Sequence, residues 1–129
     1  MGAAAAILAA AALAPGCSSS GIRTVDVTIH HSRFSTSSLS FPEGTTVRFV
    51  IRNTDPIDHE FILGNRALQH YMEVTAHPDH DGSVPGQISV PAETTRSTTY
   101  TFDKLGGLLF GCHLPGHYRY GMRREISVT

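Results

Sequence analysis

Residues 108–128 have the sequence LLFGCHLPGHYRYGMRREISV, and they are the most informative part of the chain. The stretches from Leu108 to Cys112 and from Arg124 to Val128 predict two short β-strands. Pro115-Gly116, between them, marks a turn. We therefore expect two neighbouring strands joined by a loop that carries a cysteine, a histidine and a methionine.

The rest of the chain after about residue 24 also has a strand-like pattern. Val25, Val27 and Ile29 alternate with polar residues, which is typical of a half-buried strand. Further strands are predicted at 39–41, 46–52, 59–63, 87–90 and 97–102. Seven or eight short strands with Gly and Pro between them, and no convincing helix, predict an all-β sandwich.

Composition limits the class of protein. A length of 129 residues predicts one domain. Ten Lys and Arg against eleven Asp and Glu leave no basic excess, so we expect no nucleic-acid binding. Two cysteines argue against a disulfide scaffold, whereas eight histidines favour metal chemistry.

The N-terminal segment resembles an export signal. The run from Ala3 to Leu13 is too short to span a bilayer but has the length of a secretory apolar region. It leads to Cys17 and a Ser/Gly stretch, as in bacterial lipoproteins. We therefore predict a signal peptide at 1–16, a tether at 17–23 and the folded domain at 24–129. A plain secretory signal, or an Ala-rich start with a chance cysteine, is the alternative to lipid attachment at Cys17.

Soft metal-binding side chains recur in the loop after residue 111. Cys112, His117 and Met122 follow one another at five-residue intervals. Two histidines and one cysteine in a plane, with a long weak axial methionine, form a blue-copper site. The remaining ligand must come from another segment, and His59, at the start of a predicted strand, is suitable.

This pattern resembles the cupredoxins, the small blue-copper proteins of the plastocyanin/azurin family, and also exported cupredoxin-like copper-binding lipoproteins. The resemblance extends over residues 24–129 and rests on Cys112-x4-His117-x4-Met122 with His59 upstream. It implies a Greek-key β-sandwich that holds one mononuclear type 1 copper near one end. It also implies that the backbone N–H of Glu60 donates to the cysteine sulfur and that the ring edge of His117 is the electron port.

Other histidines lie outside this pattern. His113 follows Cys112 on a strand and is expected on the opposite face, as a residue that supports the site or is exposed. His30 and His31 are expected on opposite faces of a strand, without a role.

A long insert extends from Gly64 to Gly86, about 23 residues with little strand character. It contains His70, Met72, His77 and His80, together with several acidic residues. Two interpretations stay open. The insert is a second, exchangeable copper site or a docking surface, or it is a solvated loop.

The sequence favours a monomeric electron carrier outside the cytoplasmic membrane, anchored through Cys17. We expect brief contacts with redox partners near His117, beside Leu114 and Pro115. Arg119, Arg123 and Arg124 either steer that contact or form a solvated strand end. The alternative is a copper-delivery or copper-resistance protein that uses the insert. An enzyme is not expected, because the chain lacks the repeated His-x-His pairs of multicopper oxidases.

Overall fold

The computed structural model describes residues 21–129. Within that range, the chain forms nine strands and one helix. The elements are β1 (Arg23–His30), β2 (Arg33–Phe34), β3 (Leu39–Phe41), β4 (Thr45–Asn53), β5 (His59–Gly64), α1 (Arg66–Val74), β6 (Gln87–Val90), β7 (Thr95–Phe102), β8 (Gly106–Gly111) and β9 (Arg123–Val128). No helix between residues 21 and 129 is long and apolar enough to cross a lipid bilayer.

The strands form two sheets that pack face to face. One has the order β2-β1-β4-β7 and the other β3-β9-β8-β5-β6. Alternate residues of β1 and β4 point inward, so Val27, Phe49 and Ile51 are fully buried. Six phenylalanines fill the space between the sheets, namely Phe34, Phe41, Phe49, Phe61, Phe102 and Phe110. The predicted β-sandwich is confirmed, with nine strands rather than seven or eight.

The pairing of β5 with β8 creates the place for a site. These strands are antiparallel, and Ile62 lies opposite Gly111 in their register. The first residue of β5, His59, therefore lies at the same edge of the sheet as Cys112, the residue that follows β8. Residues far apart in the chain are brought together at one end of the sandwich.

The expectation that the chain has no helix was wrong, because α1 lies inside the insert. The side chain of Asn65 caps the helix by accepting a hydrogen bond from the backbone N–H of Leu68 at 2.9 Å. Helix α1 packs against β5 and β8. Its Gln69 and Met72 are buried, and with the helix in place every residue of β5 is buried as well.

The predicted arrangement of His30 and His31 was also wrong. His30 ends β1, whereas His31 lies in the turn to β2. His31 and Ser32 both have positive φ, 49° and 53°, as the central residues of a type I′ hairpin require. The turn brings the two imidazole centroids to within 3.8 Å of each other, so they do not point to opposite faces of a strand. Strand β2 has only two residues, too short to give a pattern in the sequence.

Candidate metal centre

Three side chains meet at the shared end of β5 and β8. The Nδ1 atom of His59 lies 3.9 Å from the Sγ atom of Cys112. The Nδ1 atom of His117 lies 3.4 Å from the same sulfur. His59 and Cys112 are buried and His117 is half-buried, and their donor atoms all lie within 4.8 Å of one another. One metal ion can therefore contact all three.

Backbone hydrogen bonds close the loop that carries Cys112, His117 and Met122. The N–H of Cys112 donates to the carbonyl of Met122 at 3.1 Å, and the N–H of Met122 donates to the carbonyl of His117 at 3.0 Å. The N–H of His117 donates in turn to the carbonyl of Leu114 at 3.0 Å. Met122 is only 1% exposed and lies just before β9. These main-chain bonds hold the three residues in one closed loop at the end of the sandwich.

Two glycines allow this loop to form. Gly116, in the Pro115-Gly116 turn, has φ +84°, a conformation that favours glycine. A Cβ atom at Gly111 would lie 2.5 Å from the Tyr118 ring, so the absence of a side chain there lets that ring lie against β8. A larger residue at either position would displace the loop.

Asp55 fixes the orientation of His59. Its carboxylate accepts hydrogen bonds from the backbone N–H groups of His31 at 2.7 Å and Ser32 at 2.8 Å, and it lies 2.8 Å from Nε2 of His59. Because a carboxylate accepts, the Nε2–H group of His59 donates this hydrogen bond, which leaves Nδ1, facing Cys112, as the nitrogen that can bind a metal. Burial alone raises the pKa of Asp55, but the hydrogen bonds from Ser32, His59 and His31 outweigh that effect and hold the pKa below its usual range.

Burial shifts both Cys112 and His117 toward their neutral forms. Burial raises the pKa of the Cys112 thiol to about 12, although backbone N–H groups of Leu114 and Glu60 act in the opposite direction. The backbone N–H of Glu60 is the donor to this sulfur that the cupredoxin resemblance implies. Burial, followed by the nearby His59 ring, lowers the pKa of His117, which favours the neutral imidazole that a metal can bind. A metal that binds here must displace the thiol proton, after which a thiolate sulfur and two imidazole nitrogens can coordinate it.

His113 points away from this centre, as predicted, and is buried rather than exposed. Its Nε2 lies 2.6 Å from Oε1 of Gln69 and its Nδ1 lies 3.0 Å from the Glu73 carboxylate. The ring also stacks on Tyr118, with centroids 4.5 Å apart. Both ring nitrogens are occupied by groups on α1, so His113 attaches the helix to the ligand loop.

A second group of potential ligands lies beside β5. Glu60, His77 and His80 have one donor atom each within 4.8 Å of the others. His70 is exposed on α1, and Met72 is buried under the helix. Of the four insert residues singled out in the sequence, the structure thus brings His77 and His80 together with Glu60. Sequence reasoning missed the metal-binding potential of Glu60. This residue lies on β5, outside the insert, and only the fold brings its side chain near His77 and His80.

The donor set of the first centre fits copper. A thiolate and two imidazoles suit this metal, and thioether ligation by a methionine favours its reduced state. Cys112 and Met122 also belong to the hydrophobic core cluster, so the centre lies at the end of that core.

Comparisons with known proteins agree with this donor set. No protein-family model matches the chain. The copper-resistant cuproprotein CopI of Rubrivivax gelatinosus is 36% identical over 117 residues, which cover 88% of this chain and 71% of that protein. The chain belongs to the CopI family.

Solved structures place this CopI-family chain among the cupredoxins, as its sequence predicted. Auracyanin B matches with a TM-score of 0.66 and 26% identity, over 83% of this chain and 88% of that one. Auracyanin A of Chloroflexus aurantiacus, described as a "blue" copper protein, matches in fold with a TM-score of 0.65 and 23% identity, over 84% of this chain and all of that one. The cofactor of this chain is copper, consistent with its cysteine, histidine and methionine side chains.

Proposed function

We propose that the chain holds one type 1 copper ion and transfers single electrons. His59, Cys112 and His117 would hold the ion, and Met122, buried in the same loop, would be the fourth ligand. The observation that supports this proposal is the buried sulfur of Cys112, which faces the Nδ1 atoms of two histidines at 3.9 and 3.4 Å.

Copper in such a site supplies one-electron chemistry by changing between Cu(II) and Cu(I). The protein supplies rigidity. Asp55 holds His59 and the backbone bonds of the loop hold His117, so the ligand positions change little between the two states. Little rearrangement means a low barrier to electron transfer.

His117 is the proposed electron port, because it is the half-buried member of the centre. Leu114 and Pro115 lie next to it in the chain and are half-buried and exposed, respectively. We propose that a redox partner makes brief contact with this small surface, as expected for weak redox encounters. In this proposal the chain acts as a monomer and as an electron carrier rather than an enzyme.

The three arginines near the loop differ in how free they are to steer a partner. Arg124 donates to the backbone carbonyls of Thr36 at 2.6 Å and Phe34 at 2.8 Å, so it holds the fold together. The Arg123 guanidinium lies 4.9 Å from the centroid of the Tyr118 ring. Arg119 is exposed and is therefore the best candidate for steering.

Cyclic voltammetry of the copper-loaded chain tests electron transfer. A reversible one-electron wave, with copper retained over repeated cycles, supports the proposal. An irreversible wave, or release of copper on reduction, contradicts it. The apo chain is the control for protein-derived current.

Copper tolerance is a second candidate, favoured by the match to a copper-resistant cuproprotein over 88% of this chain. Both candidates place the chain outside the cytoplasm, a proposal supported by the apolar run from Ala3 to Leu13. This segment and Cys17, with its proposed lipid, lie outside the described residues. A chelator competition separates the two functions. If the chain confers tolerance by delivering copper to another protein, the chelator should remove its type 1 copper readily. An electron carrier should retain that copper.

A further inference from the structure

The cluster of Glu60, His77 and His80 has the geometry of a metal site. The Nε2 atom of His80 lies 3.2 Å from Nδ1 of His77. The two carboxylate oxygens of Glu60 lie 3.9 Å from Nε2 of His77 and 3.8 Å from Nε2 of His80. The side chains of Glu60, His77 and His80 are only 4%, 15% and 13% exposed, so the donors are largely protected but can be reached from solvent.

Strand pairing builds this cluster. Glu60 on β5 lies opposite Ser89 on β6 in the register of the sheet. Ser89 holds His80 in place, because its Oγ accepts the backbone N–H of His80 at 2.8 Å and its own N–H donates to the His80 carbonyl at 2.9 Å. The carboxylate and the imidazole are therefore attached to the same part of one sheet.

Among residues 21–129, no Lys or Arg forms an ion pair with Glu60. Within residues 21–129, the ion-pair partners of the buried Glu60 carboxylate are the imidazoles of His77 and His80. Burial of an ionised carboxylate costs free energy unless it is paired or bound to a metal. Its second role, accepting the backbone N–H of His113 at 2.8 Å, compensates only in part.

We propose that Glu60, His77 and His80 form a second metal site that binds Cu(II). Two imidazoles and a carboxylate contain no soft sulfur donor, so they favour the divalent ion over Cu(I). Among divalent first-row ions, Cu(II) binds such sites most tightly. Met72 and His70, which belong to the same insert, are not needed.

The second site is distinct from the type 1 centre. His59 and Glu60 are neighbours on β5, and successive side chains of a strand point to opposite faces. The two sites thus lie on either side of the same strand and share no ligand. They are connected through Glu60, because its carboxylate accepts a hydrogen bond from the residue that follows Cys112.

The test counts copper ions per chain. The folded chain is first loaded with one equivalent of Cu(II), and its visible thiolate-to-copper band is recorded. A second equivalent of copper(II) chloride is added, unbound metal is removed by gel filtration, and copper is measured together with the EPR spectrum. We expect two coppers per chain and a new EPR signal with the large hyperfine splitting of tetragonal nitrogen and oxygen ligands.

Matched variants show which residues hold the second ion. Glu60→Gln keeps an oxygen that can accept the His113 N–H but removes the charge, and His80→Ala removes one imidazole. We expect each to weaken the second site by at least about tenfold, a loss comparable with that caused by removing supporting residues in other metal sites. His70→Ala, the control, changes an exposed histidine in the same insert and should keep both ions.

Three results would overturn the inference: one copper in the wild type, an unchanged second ion in Glu60→Gln and His80→Ala, or its loss in His70→Ala. Thermal unfolding of each apo variant identifies any that does not fold, and His77→Ala then replaces it. The type 1 band is an independent measurement. Absence of that band contradicts the proposed function, while a second EPR signal still supports this site.

Discussion

The ligand loop at residues 112–122 and the insert at residues 64–86 both contain metal-binding side chains, but they are built differently. In the loop, three of the four proposed ligands lie within one short segment closed by its own backbone hydrogen bonds. In the insert, His77 and His80 meet a carboxylate that belongs to β5. Local spacing thus specifies the first site, whereas strand pairing creates the second. Changes in the two regions should therefore have separable effects.

Cys112→Ala is expected to have the largest effect. Removal of the thiolate should abolish the intense visible band completely, while the domain still unfolds cooperatively because the core is otherwise intact. Absorption spectra and thermal unfolding, recorded on the same samples, check both statements. Visible colour that persists would show that Cys112 is not a ligand.

Gln69→Ala, in the insert, should have the converse effect: it should lower the stability of the domain and leave the copper centre intact. The Gln69 side-chain amide donates to the carbonyls of Ile62 and Leu109, each at 3.0 Å. The change also removes the Gln69 oxygen that lies 2.6 Å from Nε2 of His113, so buried polar groups are left unpaired and the free energy of unfolding should fall by about 2–4 kcal/mol. We expect the visible band of the copper-loaded chain to keep its position. Urea unfolding measures the stability, and a stability equal to that of the wild type would mean that the helix does not depend on this contact.

Met122→Leu should change the loop site without emptying it. Leucine fills a similar volume in the core but has no sulfur, so a weak donor to Cu(II) is lost. We expect copper to remain bound and the reduction potential to rise, as measured by voltammetry. An unchanged potential would exclude Met122 as the axial ligand.

The smallest effect concerns pH and the apo chain. The pKa of Asp55 is lowered by folding, so its contribution to stability is present above the unfolded value and is lost as pH falls through the folded value. We expect the free energy of unfolding to decrease between about pH 5 and pH 2, and to decrease less in Asp55→Asn. Equal slopes for the two chains would show that Asp55 does not contribute.

Much of the fold and of the first site could be predicted because the signals were local. Alternating residues identified β1 and β4, and the spacing from Cys112 to Met122 identified the loop. The helix was missed because α1 depends on Gln69, a polar residue whose side chain donates hydrogen bonds to the backbone of β5 and β8. Glu60 was missed as a metal-binding side chain for the same reason, since only the fold shows what faces it.

The type 1 centre requires that Cys112 and two histidines share one copper ion. The most direct measurement is the combined absorption and EPR spectrum of the chain with one equivalent of Cu(II). We expect an intense visible thiolate-to-copper band together with a small copper hyperfine splitting. Weak absorption with the large splitting of a tetragonal site would contradict it.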